Sequence, residues 1–427
     1  MPREHMYAAV ILGVLLVLGC NSGASPSADT QVAMTDNIAA TSDFGDRLAT
    51  AFGDPLPGLS AAETARFQAG QTEFVTEEDP VKDGLGPVFN DKACANCHEV
   101  PAPGGGSTRR ETRFGRIVRT GSQLQTPSFV PLTNLGGTLQ QVNGIGVFPD
   151  PNGGPDCNYV GELVPPQANV VSQRRTTPLF GLGLVDAIPE ATFRQLVRAE
   201  ANYFPDQVGR IGIVHDIKNN RDAVGRFGWK AQVPNLHQFA GDAYLNEMGI
   251  TSPEFPDENC PQGDCGLLRC NPYPTLNDDG SGPAAFTDFM TLLAPPPRGS
   301  ITRSTADGRK LFAVVGCNHC HTPTLTTGSS PVAALSWKQF HPYSDFLLHS
   351  MGTLADNIPL GGARGDEFRT APLWGASQLT SFLHDGRAAS VAEAVQAHDG
   401  QGRQARDKFN ALSAQDRQAL LDFVNSL

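Results

Sequence analysis

The chain has 427 residues, which is long enough for two or more domains with separate hydrophobic cores. Its composition, 40% hydrophobic and 18% charged, is ordinary for a soluble protein. The formal charge of −12 argues against binding to nucleic acid or to another polyanion, and it would suit a basic redox partner.

The N-terminus has the features of an export signal. Arg3 precedes an apolar run from Ala8 to Leu18, which is too short to span a bilayer. A lipobox-like tetrapeptide ends at Cys20, and this implies that residues 1–20 are a lipoprotein signal peptide and that Cys20 carries the lipid. An ordinary signal peptide that is cleaved nearby is the alternative. Residues 21–42, rich in Ser, Ala and Thr, predict a flexible tether. We therefore expect a periplasmic protein that is held to a bacterial membrane only by its lipid anchor.

Two C-x-x-C-H motifs are the most informative feature of the chain. They are Cys94-Ala95-Asn96-Cys97-His98 and Cys317-Asn318-His319-Cys320-His321. Each places two thiols at the spacing that adds across the vinyl groups of a haem, and the following His is placed to bind the iron. A zinc knuckle or a redox dithiol would explain a single C-x-x-C. The adjacent His, the duplication and the export signal instead predict two covalently bound c-type haems.

The segment 43–300 contains the first motif and long connections rich in Gly and Pro. Apolar spacing predicts helices within it at 189–202 and 235–248. A Pro-rich linker follows. The segment 301–427 then shows the frame of a cytochrome c domain: a helix before the second motif and a closing amphipathic helix with a capping-box-like start at Ser413. We predict a mainly α protein with two cytochrome c-like haem domains, the first enlarged by loop-rich insertions.

Four cysteines remain after Cys20 and the haem motifs are assigned: Cys157, Cys260, Cys265 and Cys270. In an oxidising periplasm we expect them to form two disulfides, with three possible pairings. A metal site is the alternative, but no His lies close to them in the sequence. The acidic run Asn277-Asp278-Asp279-Gly280 predicts a turn, since one short run provides too few oxygen ligands for calcium, and a calcium site is the alternative.

The sixth ligand of each iron decides between electron transfer and chemistry on a small ligand. There is no His between His98 and His215, and no Met between Met34 and Met248. Either His215, His237 or Met248 folds back onto the first haem, or its sixth position is open, as we expect. The second motif is followed by five candidates, of which three or more must be bystanders: His341, His349, Met351, His384 and His398.

Three stretches of the C-terminal segment resemble the bacterial di-haem cytochrome c peroxidases. They are Phe368–Gly375, Phe382–Arg387 and Val391–Val395. In those enzymes a comparable region ends in a Met that ligates the electron-transfer haem. The matching position here is His398, so the resemblance implies a bis-His second haem with His321 and His398 as ligands. Imidazole in place of thioether would lower its potential.

The N-terminal segment carries a second resemblance, in Trp229, Gln238 and Glu247-Met248. The peroxidases and a related di-haem enzyme of methylamine-dehydrogenase maturation have a comparable Trp between the haems and a comparable Glu at the peroxide site. From about Phe67 to the C-terminus, the chain is identified as a member of the di-haem oxidoreductase family that is also labelled thiol oxidoreductase. Three further stretches carry that resemblance: Arg174–Leu184, Gly225–Ala231 and Tyr343–Gly352.

Peroxide cleavage needs a group that moves a proton from one oxygen to the other. The resemblance implies Glu247 as this acid–base group, Gln238 as its hydrogen-bonding neighbour and Trp229 as an electron bridge. Arg174 and Arg175 would hold haem propionates through bidentate hydrogen bonds. The alternatives are a helix-capping Glu247, a surface Gln238, a core Trp229 and arginines in surface salt bridges.

The function that we expect is a di-haem oxidoreductase of peroxidase type. A redox protein would supply electrons to the second haem, and the first haem would react with peroxide or another small oxidant. One alternative is a non-catalytic electron carrier in which both irons are six-coordinate. Another is an enzyme that uses the same oxidising chemistry on a partner protein.

Overall fold

The structure is a computed structural model that describes residues 50–119 and 128–427. The predicted signal peptide, the tether and Cys20 lie outside these residues. Nine α-helices occur in the described ranges: α1 Ala61–Val75, α2 Leu182–Asp186, α3 Glu190–Tyr203, α4 Leu236–Met248, α5 Ser281–Leu292, α6 Arg303–Val315, α7 Val391–Ala397, α8 Arg403–Ala411 and α9 Ala414–Val424. None of these helices is long and apolar enough to cross a membrane.

The strands are short and antiparallel. They are β1 Val88–Phe89, β2 Arg110–Val118, β3 Ser128–Val130, β4 Asn143–Gly144, β5 Gly146–Phe148, β6 Cys157–Tyr159, β7 Val170–Arg175, β8 Ile213–Asp216, β9 Arg221–Val224, β10 Leu325–Thr326, β11 Gln339–Phe340, β12 Leu348–Ser350 and β13 Glu367–Arg369. The largest sheet has three strands in the order β3-β2-β7, and Arg110 of β2 lies opposite Arg175 of β7. Helices hold more residues than strands, but strands and loops are so frequent that the mainly α prediction is confirmed only in part.

The helices begin where the sequence offers a cap. The Ser60 hydroxyl accepts a hydrogen bond from Glu63 N, and the Glu63 carboxylate accepts one from Ser60 N, which makes a capping box for α1. Asn235 caps α4 in the predicted position, and Ser413 caps α9. The helices predicted at 189–202 and 235–248 are therefore confirmed to within one residue.

The two helices that frame the second motif lie against each other at Gly308 of α6. A Cβ atom at this position would lie 1.9 Å from the carbonyl oxygen of Ala419 in α9, so only glycine permits this approach. Phe312 of α6 and Phe423 of α9 meet edge to face, with their ring centroids 5.4 Å apart. The C-terminal frame predicted from the sequence is thus held by direct helix–helix packing.

The apolar core has two main clusters. The larger cluster includes residues from both predicted haem segments, from Leu56 to Leu347. The smaller one, between Phe312 and Leu427, contains only residues of the C-terminal segment. The division of the chain at residue 300 stays a prediction.

Two disulfides lie in the loop-rich part of the N-terminal segment, as predicted. Cys157 of β6 is bonded to Cys270, and Cys260 is bonded to Cys265. The first disulfide closes a loop with a sequence separation of 113, and the second closes one of only 5. The long-range disulfide therefore joins the β5-β6 hairpin to the segment that precedes α5.

Candidate functional site

The first C-x-x-C-H motif lies in the wall of a cavity of about 370 Å³. Cys94, Cys97 and His98 line it, and the other walls come from α1, β2, β7, α4 and α5. Two apolar residues of α5, Phe286 and Met290, form part of the lining. The cavity therefore brings the motif together with elements that lie as far as two hundred residues away in the sequence.

The orientation of His98 is set by the turn that follows the motif. Its Nδ1 lies 3.1 Å from the carbonyl oxygen of Gly105, and since a carbonyl can only accept, Nδ1 carries the proton. A Cβ atom at Gly105 would lie 2.0 Å from the carbonyl oxygen of Val100, so glycine is required for this turn. Burial lowers the pKa of His98 to about 4 and keeps the ring neutral. Nε2 is then the nitrogen that is left to bind a metal.

The second motif lines another cavity, of about 200 Å³, with Cys317, Cys320 and His321 in its wall. Gly316, in a left-handed conformation with φ of 93°, ends α6 and turns the chain into the motif. His321 Nδ1 lies 3.0 Å from the carbonyl oxygen of Tyr343, so it also donates its Nδ1 proton to the backbone. The two motifs thus present the same donor set, which is two thiols and one oriented imidazole.

A third histidine is oriented in the same way. His398 lines the second cavity, and its Nδ1 donates to the carbonyl oxygen of Ala394 at 2.7 Å. This leaves Nε2 as the free ring nitrogen of His398, as it is in His98 and His321. His349 and Met351 also line this cavity, and His349 Nε2 lies 3.0 Å from Asp345 Oδ2.

The first cavity differs from the second in the histidines that line it. Among the described residues that line it, His98 is the only histidine. His215 is exposed, and His237 contacts Glu254 through Nε2 at 2.9 Å. Met248 does line the cavity, but its sulfur lies 4.0 Å from Cys94 Sγ. Met248 therefore contacts a thiol of the motif.

Both cavities fit a c-type haem. Each wall carries two cysteine thiols that are not in disulfides, next to a neutral imidazole with a free Nε2. Zinc would need four ligands close together, and neither motif contributes to a group of four within the described residues. The single group of three His, Cys or acidic side chains within metal-binding distance in the described ranges is Cys320, Asp345 and His349. The donor set of each motif is therefore one that suits a haem better than a zinc ion.

Glu247 lies in the wall of the first cavity at the end of α4. Asn90 Nδ2 donates a hydrogen bond of 2.6 Å to its Oε2. Burial, with the nearby charge of Glu111, raises the pKa of Glu247 to about 7. Such a carboxyl group exchanges protons near neutral pH, as an acid–base catalyst must.

The sequence reasoning missed the polar neighbours of Glu247. Glu111 and Arg113 are two residues apart on β2, so they face the same side and both line the cavity. Arg113 donates two hydrogen bonds to the Glu111 carboxylate, of 3.1 and 2.9 Å. In the sequence, the two-residue spacing of Glu111 and Arg113 indicates that they share one face of a strand. It does not show whether that face is turned to the first motif.

Gln238 does not lie with Glu247. Its Oε1 accepts a hydrogen bond from Ile217 N at 3.0 Å, and its Nε2 donates to the carbonyl oxygen of His215 at 3.1 Å. It is not among the residues that line the first cavity. The structure therefore gives Gln238 a place between α4 and β8, with its side chain bonded to backbone groups.

Trp229 and Arg175 line both cavities. The Arg175 guanidinium donates to the carbonyl oxygens of Leu383 and Thr176, each at 3.3 Å, and lies 5.6 Å from the Trp229 ring centroid. It accordingly has no carboxylate hydrogen-bond partner among the described residues. Burial lowers the pKa of Arg175 to about 10, so it stays charged at neutral pH.

Arg174 has a different environment. It is 1% exposed and donates two hydrogen bonds to Asp356 Oδ2, of 3.0 and 2.7 Å. Lys230 Nζ lies 3.0 Å from the other oxygen of Asp356. Arg174, which also lines the first cavity, is thus a member of a buried charge cluster and not of a surface salt bridge. Arg175 lies beside both cavities and has no carboxylate partner within the described residues.

The acidic run at residues 277–280 uses its side-chain oxygens for local structure. Asn277 Oδ1 accepts a hydrogen bond from Thr251 N at 2.9 Å, and Asp278 Oδ1 accepts one from Gly280 N at 2.6 Å. Asp279 Oδ1 accepts one from Ser281 N at the start of α5. These contacts are those of a turn that leads into a helix.

The family model described as "Di-haem oxidoreductase, putative peroxidase" matches residues 165–427, which is more than half of the chain. No curated protein sequence is significantly similar to the chain.

Several solved structures are similar to the chain at 14% sequence identity. They include the hydrazine synthase of Kuenenia stuttgartiensis, with a TM-score of 0.36 and 100% of each chain covered. A MauG-like protein associated with microbial copper homeostasis has a TM-score of 0.37, with 89% of this chain and 94% of that chain covered. A variant of the diheme peroxidase BthA from Burkholderia thailandensis has a TM-score of 0.35, with 91% and 89% covered. On the family match, this chain belongs to the di-haem oxidoreductases and peroxidases, and it is a haem oxidoreductase by family.

Proposed function

We propose that this protein is an exported di-haem c-type oxidoreductase of peroxidase type, with one reactive haem and one electron-transfer haem. The observation that carries the proposal is the difference between the two cavities. The second holds both His321 and His398 with their Nε2 atoms free, whereas His98 is the only one of the described histidines that lines the first. A filled sixth position favours electron transfer, and an open one favours chemistry on a small ligand.

In this proposal, Cys94 and Cys97 attach the first haem, and Cys317 and Cys320 attach the second. His98 and His321 are the fifth ligands, and His398 is the sixth ligand of the second iron. When bound, the haems supply the redox centres that take up and release electrons. The Nδ1 hydrogen bonds of the three histidines support this assignment, because a second partner fixes the tautomer and the direction of a ligating ring.

Glu247 is the proposed acid–base group. Peroxide cleavage requires that a proton leave one oxygen and reach the other, and Glu247 can accept and return that proton at its Oε atoms. Asn90 holds the carboxylate through Oε2, so that Oε1 is left to contact substrate. Gln238 has no part in this proposal, since its side chain is bonded to the backbone of β8 and the residue after it.

Trp229 is the proposed electron bridge, with electrons passing from the second haem to the first. Its indole lines both cavities and lies edge to face with His384 of the second cavity, with 6.4 Å between the ring centroids. Arg175 is the proposed partner of haem propionates, because its buried charge is bonded only to carbonyl oxygens. Arg174 is less suited, since Asp356 already pairs with it.

The location and the partners follow from the sequence. The signal-like N-terminus and Cys20 support a periplasmic protein that is anchored by lipid, and two disulfides agree with an oxidising compartment. The electron donor is a redox protein, and the oxidant is peroxide or a similarly small molecule. Calcium has no place in this proposal, because the oxygens of residues 277–280 serve the turn.

Electronic and EPR spectra of the purified protein, oxidised and reduced, with and without peroxide, test the proposal. We expect one high-spin and one bis-His low-spin haem, and a change at the high-spin haem when peroxide is added. Two low-spin haems that are inert to peroxide in both redox states would instead identify an electron carrier. If a partner protein and not a small reductant supports turnover, the enzyme acts on proteins.

A further inference from the structure

A buried phenol and a buried carboxyl group meet behind the first cavity. Tyr244 Oη donates a hydrogen bond of 3.2 Å to Glu78 Oε1. Tyr244 lies on α4, three residues before Glu247, and Glu78 lies three residues after the end of α1. Tyr244 is 3% exposed and Glu78 is 7% exposed, so the protein interior holds the whole pair. Neither residue has a role in the acid–base chemistry proposed above.

Tyr244 shares the wall of the first cavity with the first motif, since it lines that cavity together with Cys94 and His98. Its ring lies edge to face with Phe286, with 5.1 Å between the centroids, and a Cβ atom at Gly282 would lie 3.0 Å from it. Packing against α5 therefore holds Tyr244 next to whatever occupies the cavity.

The charges around Glu78 make it a better proton acceptor than an ordinary carboxylate. Three neighbouring negative charges favour protonation of Glu78: those of Glu73 in α1, Asp83 in the following loop and Asp278 in the turn before α5. Burial and these negative charges raise the pKa of Glu78 to about 7, against a smaller opposing effect of the Tyr244 hydrogen bond. A phenol gives up its proton far more readily when it is oxidised, and it then needs such a base in direct contact.

We propose that Tyr244 is a redox-active tyrosine that passes its phenolic proton to Glu78 when it loses an electron. The O–H bond of Tyr244 breaks and the proton forms a new O–H bond at Glu78 Oε1, while the haem that Cys94, Cys97 and His98 would hold, once oxidised by peroxide, would supply the one-electron acceptor. The products at these residues are a neutral tyrosyl radical and a protonated Glu78. This inference rests on the proposed function, because peroxide is the oxidant that it requires.

Another buried tyrosine offers a matched control. Tyr159 is 2% exposed, but its hydroxyl donates to the carbonyl oxygen of Leu267 at 2.7 Å. A backbone carbonyl cannot take up the proton, and Tyr159 does not line the first cavity. Tyr244→Phe and Tyr159→Phe each remove one buried hydroxyl group, yet only the first removes a phenol that is paired with a base.

The experiment is freeze-quench EPR of the di-haem protein after one equivalent of peroxide, with the haem oxidation followed by absorbance in the same samples. We expect a tyrosyl radical signal in the unaltered protein and in Tyr159→Phe, and at least a tenfold smaller signal in Tyr244→Phe. The inference is overturned if the haem is oxidised and the signal is absent, or if it persists in Tyr244→Phe. If peroxide does not oxidise the haem at all, the proposed function fails and this inference fails with it.

A second pair of variants tests the role of Glu78. Glu78→Gln keeps a hydrogen-bond acceptor for Tyr244 but removes the base, so the radical formed per oxidised haem should fall at least tenfold. Glu73→Gln removes one neighbouring negative charge but leaves both the base and the Tyr244–Glu78 contact in place, so it should keep most of the radical. Equal radical yields in Glu78→Gln and Glu73→Gln would exclude Glu78 as the proton acceptor.

Discussion

Trp229 Nε1 donates a hydrogen bond of 2.9 Å to the carbonyl oxygen of Arg175, and both side chains line both cavities. The wall between the two haem sites is therefore formed in part by two residues that hold each other in place. The indole is 8% exposed, so its orientation is set by this hydrogen bond and by packing.

Trp229→Phe is expected to slow electron transfer between the haems by about tenfold or more, equivalent to about 1.4 kcal/mol of activation free energy. Phenylalanine keeps an aromatic ring but loses the easily oxidised indole and its anchor to Arg175. The measurement is the rate at which the first haem is reduced after rapid reduction of the second. Trp374→Phe, at a tryptophan that packs against Phe340 outside both cavity linings, is the control. Equal rates in the two variants would remove Trp229 from the path.

Glu247→Gln is expected to lower the rate of reaction with peroxide by a factor of about 10²–10⁴, the usual contribution of a positioned acid–base group. Both haems should remain attached. Glu258 provides the control, because burial also raises its pKa, to about 8, but it does not line the first cavity. If Glu247→Gln and Glu258→Gln react with peroxide at the same rate, Glu247 is not the acid–base group.

The pH dependence of the same reaction tests the protonation state of Glu247. Burial, and then the charge of Glu111, raises the pKa of Glu247 to about 7. The group accepts a proton from peroxide only when it is ionised, so the rate should rise as the pH increases through about 7 and then level off. Stopped-flow absorbance across this range is the measurement, and a rate independent of pH would contradict the assignment.

The sequence predicted the parts of the site that depend on short motifs. Local spacing was enough to predict the two C-x-x-C-H motifs and the helices around Glu247 and before His321. The interest in Trp229 came from the family resemblance. The residues that surround Glu247 could not be predicted in this way. Asn90 and Glu111 come to it from segments more than a hundred residues away, across contacts that no local pattern encodes.

The same limit explains two differences from the sequence predictions. The family resemblance implied that Gln238 shares a site with Glu247, but α4 turns the Gln238 side chain to the backbone of His215 and Ile217. The neighbouring residues Arg174 and Arg175 both line the first cavity, but their partners differ. Arg174 pairs with Asp356, whereas Arg175 also lines the second cavity and donates to carbonyl oxygens.

His398→Ala is expected to convert the second haem from a low-spin to a high-spin state, because it removes the proposed sixth ligand. Added imidazole should restore the low-spin signal by filling the same position. His341→Gln is the control, since His341 is buried and lies 2.9 Å from Thr324 Oγ1, outside the cavity lining. EPR spectra of the oxidised proteins report both states. A low-spin bis-His signal that survives in His398→Ala would assign the ligand to another residue.

The double variant Cys157→Ser/Cys270→Ser is expected to lower the free energy of unfolding by about 2–5 kcal/mol, because the disulfide closes a long loop. The double variant Cys260→Ser/Cys265→Ser should cost less, since that loop is short. Urea unfolding followed by circular dichroism measures both losses. Neither disulfide is adjacent to a haem motif, so the haem spectra should be unchanged. A larger loss for the short loop would show that local packing, and not loop closure, sets the effect.

The contribution of Glu258 to stability should fall as the pH rises. Burial raises the pKa of Glu258 to about 8, whereas an unfolded glutamate ionises near 4.5. The folded protein therefore keeps a proton that the unfolded chain loses, and this stabilisation is complete below about pH 4.5 and is lost as the pH approaches 8. The loss from this one group between about pH 5 and pH 8 is on the order of 4 kcal/mol. Glu258→Gln, which cannot ionise, should show a shallower decline in urea unfolding over that range. A decline of equal slope in both proteins would mean that Glu258 titrates normally in the folded state.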